Sequence, residues 1–217
     1  MKSLYKYQFI VADNNFMIRQ GMTIILKQLY NDVFIYQVDD LNSAKKILKS
    51  KSIQLLIIDI NLPGTNSLNI ISYLRKIQNE LKILIFSSYH EDIYAIRYLS
   101  ARANGYLNKL SSEEEIKYAI ETVMNTGKYI SKNIQDRIMD SYILKKPSNP
   151  LEQLSNREIE IAKFLVDGYS NIDVSKLLNI KKTTVSTYKI RIFEKLSIET
   201  LSGLIQIFQL YYNREKQ

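Results

Sequence analysis

The chain has 217 residues, with 30 Lys plus Arg against 22 Asp plus Glu, a formal charge of +8 that suits an acidic partner such as nucleic acid. Cysteine is absent and His90 is the single histidine, so disulfides, thiolate metal sites and histidine clusters are excluded. The length suits two compact domains, and the first apolar run stops at Asp13, too short for a signal-peptide core or a membrane span, so a cytoplasmic protein without membrane attachment is expected.

In chain order, 8–12 (QFIVA), 33–38 (VFIYQV), 53–58 (IQLLII) and 82–86 (KILIF) are short runs rich in β-branched and aromatic residues and read as strands, with Gly105-Tyr106-Leu107 a fifth. Segments with helical spacing lie between them, such as Ile18, Met22, Ile25 and Leu29, or Ile93, Ile96 and Leu99. Several strand runs are apolar throughout, as happens when helices cover both faces of a sheet, so a parallel doubly wound α/β domain is expected. After a helix near 112–126 the pattern loosens, and Lys145-Lys146-Pro147-Ser148-Asn149-Pro150 reads as a linker.

Beyond the linker only helices are predicted. Ser155-Asn156-Arg157-Glu158 spells a capping box, and Gly168 is a natural stop for the helix it opens. A second helix over 170–178 turns Val174, Leu177 and Leu178 inward; Asn179-Ile180-Lys181-Lys182 is a tight turn into a third, on which Val185, Ile192 and Leu196 face the core. A last helix carries Leu201, Leu204, Ile205, Phe208 and Tyr212. Two helices joined so tightly match a helix-turn-helix. The expected boundaries are 1–126 for the α/β domain, 127–150 for the linker and 151–217 for the all-α helix-turn-helix domain.

The predicted strand ends collect compatible chemistry. Asp13-Asn14 follows the first strand, Asp59 the third, Ser87-Ser88 the fourth and Lys109 the fifth. In an open parallel sheet these ends surround the ligand crevice. A carboxylate attacks a phosphoryl group only when anion repulsion is relieved by a hard cation on oxygen ligands, a fixed ammonium and a hydroxyl. Asp13, Asp59, Lys109 and Ser87 can fill those roles; each alone is an ordinary solvated loop residue, and the set is what carries the reading. His90 reads as a loop residue. Aspartyl phosphatases of the haloacid dehalogenase type need a second aspartate two residues beyond the nucleophile, where this chain has Asn15 and Asn61, so an enzyme is not expected.

VADNNFMIRQG, LLIIDINLPGTNSL, ILIFSS and ANGYLNK make residues 8–126 resemble the receiver domains of NarL/FixJ-family two-component response regulators, with a five-stranded flavodoxin-like sheet in the order 2-1-3-4-5. The resemblance implies that Asp59 accepts phosphate from a sensor histidine kinase, that Ser87 binds the phosphoryl oxygen and Lys109 pairs with it, that Tyr106 is an aromatic switch acting with Ser87, and that Asp13, Asn14, Asp59 and Asn61 surround a Mg²⁺ ion. Asn14 departs from the family's second acid, which removes one negative charge from the cation site and weakens it. Asn66-Ser67 and Leu110 are further departures.

From Lys181 to Lys195 there are five basic residues and one acid, interleaved with hydroxyls. Lys181, Lys182, Thr183, Thr184, Ser186, Thr187, Lys189, Ile190, Arg191 and Lys195 are the candidate DNA contacts, with Ser186, Thr187 and Ile190 toward the groove and Lys189, Arg191 and Lys195 toward phosphates. Ile190 either packs on a thymine methyl or turns partly into the core. LSNREIEIAKFLVDGYSNIDVSKLLNIKKTTVSTYKIRIFEKL resembles the LuxR-type helix-turn-helix, and TVSTYK is similar to the virulence and fimbrial regulators typified by BvgA, EvgA and FimZ. Lys181 stands where a capping serine is common, Tyr188 where histidine is. The resemblance implies a transcription regulator that binds double-stranded DNA, as a homodimer when active. Two alternatives stay open: a phosphorylation-independent DNA-binding regulator with a degenerate receiver, and a protein-interaction module.

Overall fold

A computed structural model describes residues 5–63, 69–144 and 149–211. Asn66-Ser67, most of the Lys145–Pro150 run and Tyr212 lie outside the described residues. The chain divides into two compact units, 1–136 and 137–217.

In the first unit β1 (Tyr7–Ala12), β2 (Val33–Val38), β3 (Leu55–Ile58), β4 (Lys82–Ser87) and β5 (Gly105–Asn108) alternate with α1 (Phe16–Leu29), α2 (Leu41–Ser50), α3 (Asn69–Ile77), α4 (Glu91–Ser100) and α5 (Glu113–Thr126). The strands form one parallel sheet in the order β2-β1-β3-β4-β5, the doubly wound topology expected from the sequence. Phe9, Val11, Leu55, Ile57, Leu84, Phe86 and Leu107 turn one way and pack with Met22 and Leu26 of α1 and Ile116, Ala119, Ile120 and Val123 of α5. Their neighbours in the strands, Ile10, Leu56, Ile58, Ile83 and Ile85, are equally buried, because successive strand side chains point to opposite faces and both faces are covered. Side-chain caps open the helices: Asn15 Oδ1 accepts the Met17 N–H, and Ser112 Oγ accepts that of Glu115.

Gly127, left-handed at φ 82°, closes α5 and lets the chain return so that Tyr129 buries against the sheet. A Cβ on Gly105 would lie 2.9 Å from Leu84 Cδ1 and 3.3 Å from the Tyr129 carbonyl oxygen, so only glycine lets β5 approach so closely. The segment expected to be a linker contains a helix, α6 (Lys132–Leu144). Of its apolar residues Ile134 is buried, whereas Met139, Tyr142 and Ile143 are exposed. A helix burying so little of its apolar stripe leaves a weak periodic signal.

The second unit continues with a 3₁₀ turn (Pro150–Gln153), α7 (Asn156–Val166), α8 (Asn171–Leu177), α9 (Lys182–Leu196) and α10 (Leu201–Tyr211). The Ser155–Glu158 capping box forms as read, and Ser170–Asp173 forms a second at α8. Leu151, Leu154, Ile159, Ala162, Leu165, Val174, Val185, Ile192, Leu204 and Phe208 make the core. Leu177 corrects the sequence reading: it is exposed, because α8 spans two turns and buries Val174 alone among its residues. Left-handed residues follow three of these helices: Gly168 (φ 88°), Asn179 (φ 50°) and Ser197 (φ 53°). Among the described residues no helix is long and apolar enough to cross a membrane.

Candidate acidic pocket and basic helix

Register brings the two acids together. Ala12 of β1 lies opposite Ile58 of β3, so the residues that follow, Asp13 and Asp59, emerge side by side, and the Asp59 N–H donates to the Ala12 carbonyl at 3.0 Å. Both are buried. One oxygen of each carboxylate is held by the main chain two residues on: Asp13 Oδ1 accepts from Asn15 N at 2.8 Å, and Asp59 Oδ1 from Asn61 N at 3.0 Å. The other oxygen of each meets a single ammonium, with Lys109 Nζ 2.5 Å from Asp13 Oδ2 and 2.8 Å from Asp59 Oδ2.

Lys109 follows β5, and its own N–H donates to the Ser87 carbonyl at 2.9 Å. Burial opposes its charge, but the hydrogen bonds and attraction of Asp13 and Asp59 outweigh that and raise its pKa. Ser87 is fully buried at the end of β4, its hydroxyl accepting the Tyr89 N–H at 3.2 Å. Tyr106, on β5, is buried and donates its hydroxyl hydrogen to the Tyr89 carbonyl at 2.8 Å; Asn108 Nδ2 donates to the same oxygen at 3.2 Å. Burial drives the Tyr106 phenol far above its ordinary pKa, against a hydrogen bond with Ser87 that lowers it. Ser87 and Tyr106 are thus joined directly and through Tyr89. Sequence reading missed Tyr89 and Asn108, since a backbone carbonyl acting as hub leaves no compositional trace.

The donors suit a hard cation: two carboxylates, with Asn14 and Asn61 exposed beside them in sequence. Among the described residues no group of three or more His, Cys, Asp or Glu could hold a metal. The position two beyond each aspartate is also an amide, and Asn15 is occupied in capping α1, so nothing at those positions can serve as the general acid of an aspartyl phosphatase.

On α9, Val185, Ile192 and Leu196 are buried as expected, and Thr183, Thr187, Ile190 and Glu194 share the outward face. Ile190 exposes 59 % of its surface, which decides against its turning into the core. Lys181, Lys182 and Arg191 are exposed, and Thr184 and Lys189 half-buried. Lys189 sets its ammonium 5.5 Å from the Phe193 ring. Ser186 is half-buried and takes a hydrogen bond from Asn171 Nδ2 at 3.2 Å, tying α9 to α8. Lys195, expected to face phosphates, is exposed but sets its ammonium 2.7 Å from Glu158 Oε2.

A doubly wound sheet with an aspartate–lysine pocket at its carboxyl edge, followed by a tight helix pair with a basic outer helix, defines a receiver joined to a helix-turn-helix. Residues 9–121 match the response regulator receiver domain and residues 152–208 the bacterial regulatory proteins of the luxR family, and the chain belongs to the response regulators that combine the two, the NarL/FixJ family. The DNA-binding transcriptional activator EvgA of Escherichia coli K12 is 30 % identical over 201 residues, covering 92 % of this chain and 96 % of EvgA. The fimbriae Z protein of the same strain is 29 % identical over 93 % of this chain and 96 % of its own. Among solved structures, RcsB from Salmonella enterica serovar Typhimurium bound to promoter P1flhDC with phosphomimetic BeF3⁻ has the same fold, with TM-score 0.65 at 19 % identity over 94 % of this chain and 98 % of that one.

Proposed function

We propose that this response regulator is controlled by phosphoryl transfer from a sensor histidine kinase to Asp59 and binds double-stranded DNA through α9. The observation that carries this is the Lys109 ammonium shared between Asp13 and Asp59. It relieves the repulsion between an attacking carboxylate and an incoming phosphoryl group; the receiver-family resemblance assigns the nucleophile to Asp59, with Asp13 beside it. Mg²⁺, when bound, would supply further charge neutralisation, and Asp13, Asp59, Asn14 and Asn61 are the residues that would hold it. Ser87 would meet a phosphoryl oxygen, and its connection to Tyr106 through Tyr89 supports a route by which the change leaves the pocket.

On the DNA side, Lys181, Lys182, Lys189 and Arg191 supply positive charge for phosphates, while Thr183, Thr184, Ser186, Thr187 and Ile190 occupy the part of α9 that enters the groove. An RcsB structure contains two dimers bound to two parallel DNAs, which supports an active homodimer here. Kinase and DNA as partners support a cytoplasmic location. The domain limits we assign remain 1–126 and 151–217, joined by 127–150 with α6 inside it.

The test is incubation with acetyl phosphate and Mg²⁺ followed by intact-mass spectrometry and DNA titration. One phosphoryl adduct, absent from Asp59→Asn, and tighter DNA binding by the modified protein are expected. DNA binding without any adduct would make the receiver degenerate and the regulator phosphorylation-independent.

A further inference from the structure

Lys195 and Glu158 stand 37 positions apart in sequence and meet inside the helical unit. Glu158 is almost fully buried, at 3 % exposure. Its Oε2 accepts the Ser155 N–H at 2.6 Å, closing the capping box of α7, and meets Lys195 Nζ at 2.7 Å. Burial pushes the Glu158 carboxyl up, but the hydrogen bonds from Lys195 and Ser155 outweigh it and bring the pKa below the ordinary value. The carboxylate is therefore charged and internal, and a single oxygen joins the first turn of α7 to the last turn of α9. Both ends favour the arrangement, since an acid is stabilised at a helix N-terminus and a cation at a C-terminus.

The opposite end of α9 is held differently. Its N-cap, Lys181, makes no side-chain cap bond, and the nearby polar tie is the Asn171–Ser186 contact. The helix that carries the groove-facing residues is thus fastened at its C-terminal end by an ion pair between the buried Glu158 carboxylate and the exposed Lys195, and near its start by a neutral hydrogen bond. An apolar contact along Val185, Ile192 and Leu196 resists separation but tolerates sliding and rotation. A charge-assisted bond at one end fixes register, because a buried carboxylate that loses its ammonium is left uncompensated.

We propose that Lys195 is a positioning residue for DNA recognition: its ammonium clamps α9 to the Glu158 capping box and so sets the angle at which Thr183, Thr187 and Ile190 meet base edges, without itself contacting a phosphate. The proposal rests on the assignment of α9 as the DNA-reading helix.

The experiment uses the full chain, a duplex that the unaltered protein selects from a random library, and a scrambled duplex of the same composition, each titrated at several salt concentrations. Lys195→Met should weaken the selected duplex on the order of tenfold, equivalent to about 1.4 kcal/mol, leave the scrambled duplex unchanged and leave the salt slope unchanged. Lys195→Arg should restore the selectivity. Glu158→Gln keeps the Ser155 hydrogen bond possible and covers the case in which Lys195→Met does not fold; it should cause the same selective loss. Equal weakening of both duplexes by Lys195→Met with a slope smaller by about 0.9, or stronger binding of both by Glu158→Gln, identifies a phosphate contact and overturns the proposal. Selectivity unchanged in both variants overturns it as well. If the unaltered protein enriches no duplex, the DNA-reading assignment of α9 fails, and the clamp's role fails with it.

Discussion

Ile190 shares its face of α9 with Thr183, Thr187 and Glu194, and an aliphatic side chain gains little from water in that company. A thymine methyl is the base-edge group that an isoleucine recognises. Ile190→Ala should cost a selected site on the order of 1 kcal/mol while sparing non-specific binding; paired isotherms on selected and scrambled duplexes decide it, and equal losses on both refute base reading. Half-buried Lys163 on α7 offers a pH test in the same unit. Burial holds its ammonium down to about 8, from an ordinary 10.5, against the attraction of Glu160 and Asp167. Between those values the folded chain has released a proton that the unfolded chain still binds, so stability rises with pH through that window. The urea midpoint should be higher at pH 9.5 than at pH 7.5, roughly the span of the shift, and flat in Lys163→Met. Asp13, Asp59, Ser87 and Lys109 were legible in the sequence because apolar runs fix where strands end. The Lys195–Glu158 pair was not, because a contact between helices 37 positions apart follows no period.

At the scale of elements, β5 is the tightest fit. Gly105→Ala would press a methyl against Leu84 on β4 and the backbone at Tyr129, and Leu84 itself is fully buried. Overpacking of that kind should destabilise the chain by about 1–3 kcal/mol, read from chemical denaturation; an unchanged midpoint would mean the 129 segment retreats freely. The five strands were readable from composition because β1, β3, β4 and β5 are buried over most of their length and the edge strand β2, though half-exposed, keeps its β-branched and aromatic run. Helix α6 escaped notice for the converse reason, with most of its apolar residues in solvent, and the inward assignment of Leu177 failed because α8 is too short to present more than one residue to the core.

For the whole molecule, a phosphoryl group at Asp59 can alter DNA affinity only if it binds two receiver states differently. On the proposed function, the Ser87–Tyr89–Tyr106 connection is the element whose equilibrium it would bias. Coupling of this kind is reciprocal. The factor by which beryllofluoride with Mg²⁺ tightens binding of the selected duplex should equal the factor by which that duplex tightens beryllofluoride, on the order of 5–150 for ordinary allosteric coupling. Calorimetry in both directions measures it, and a factor of one each way would mean that the receiver pocket does not govern the helical unit. Division into an α/β half and an all-α half was plain from the disappearance of strand patterns after residue 126; the relation between pocket state and DNA affinity has no signature in composition at all.

Asn179 and Ser197 close α8 and α9 in a left-handed conformation that glycine, as at Gly168, adopts without strain. A side chain there carries a penalty of roughly 1 kcal/mol, yet it also narrows the conformations open to the unfolded chain. Both residues bracket α9, one before its first turn and one after its last. The helix proposed to read DNA is therefore bounded by two joints stiffer than glycine would make them, and on that reading angular accuracy at the duplex comes at some expense in folding free energy.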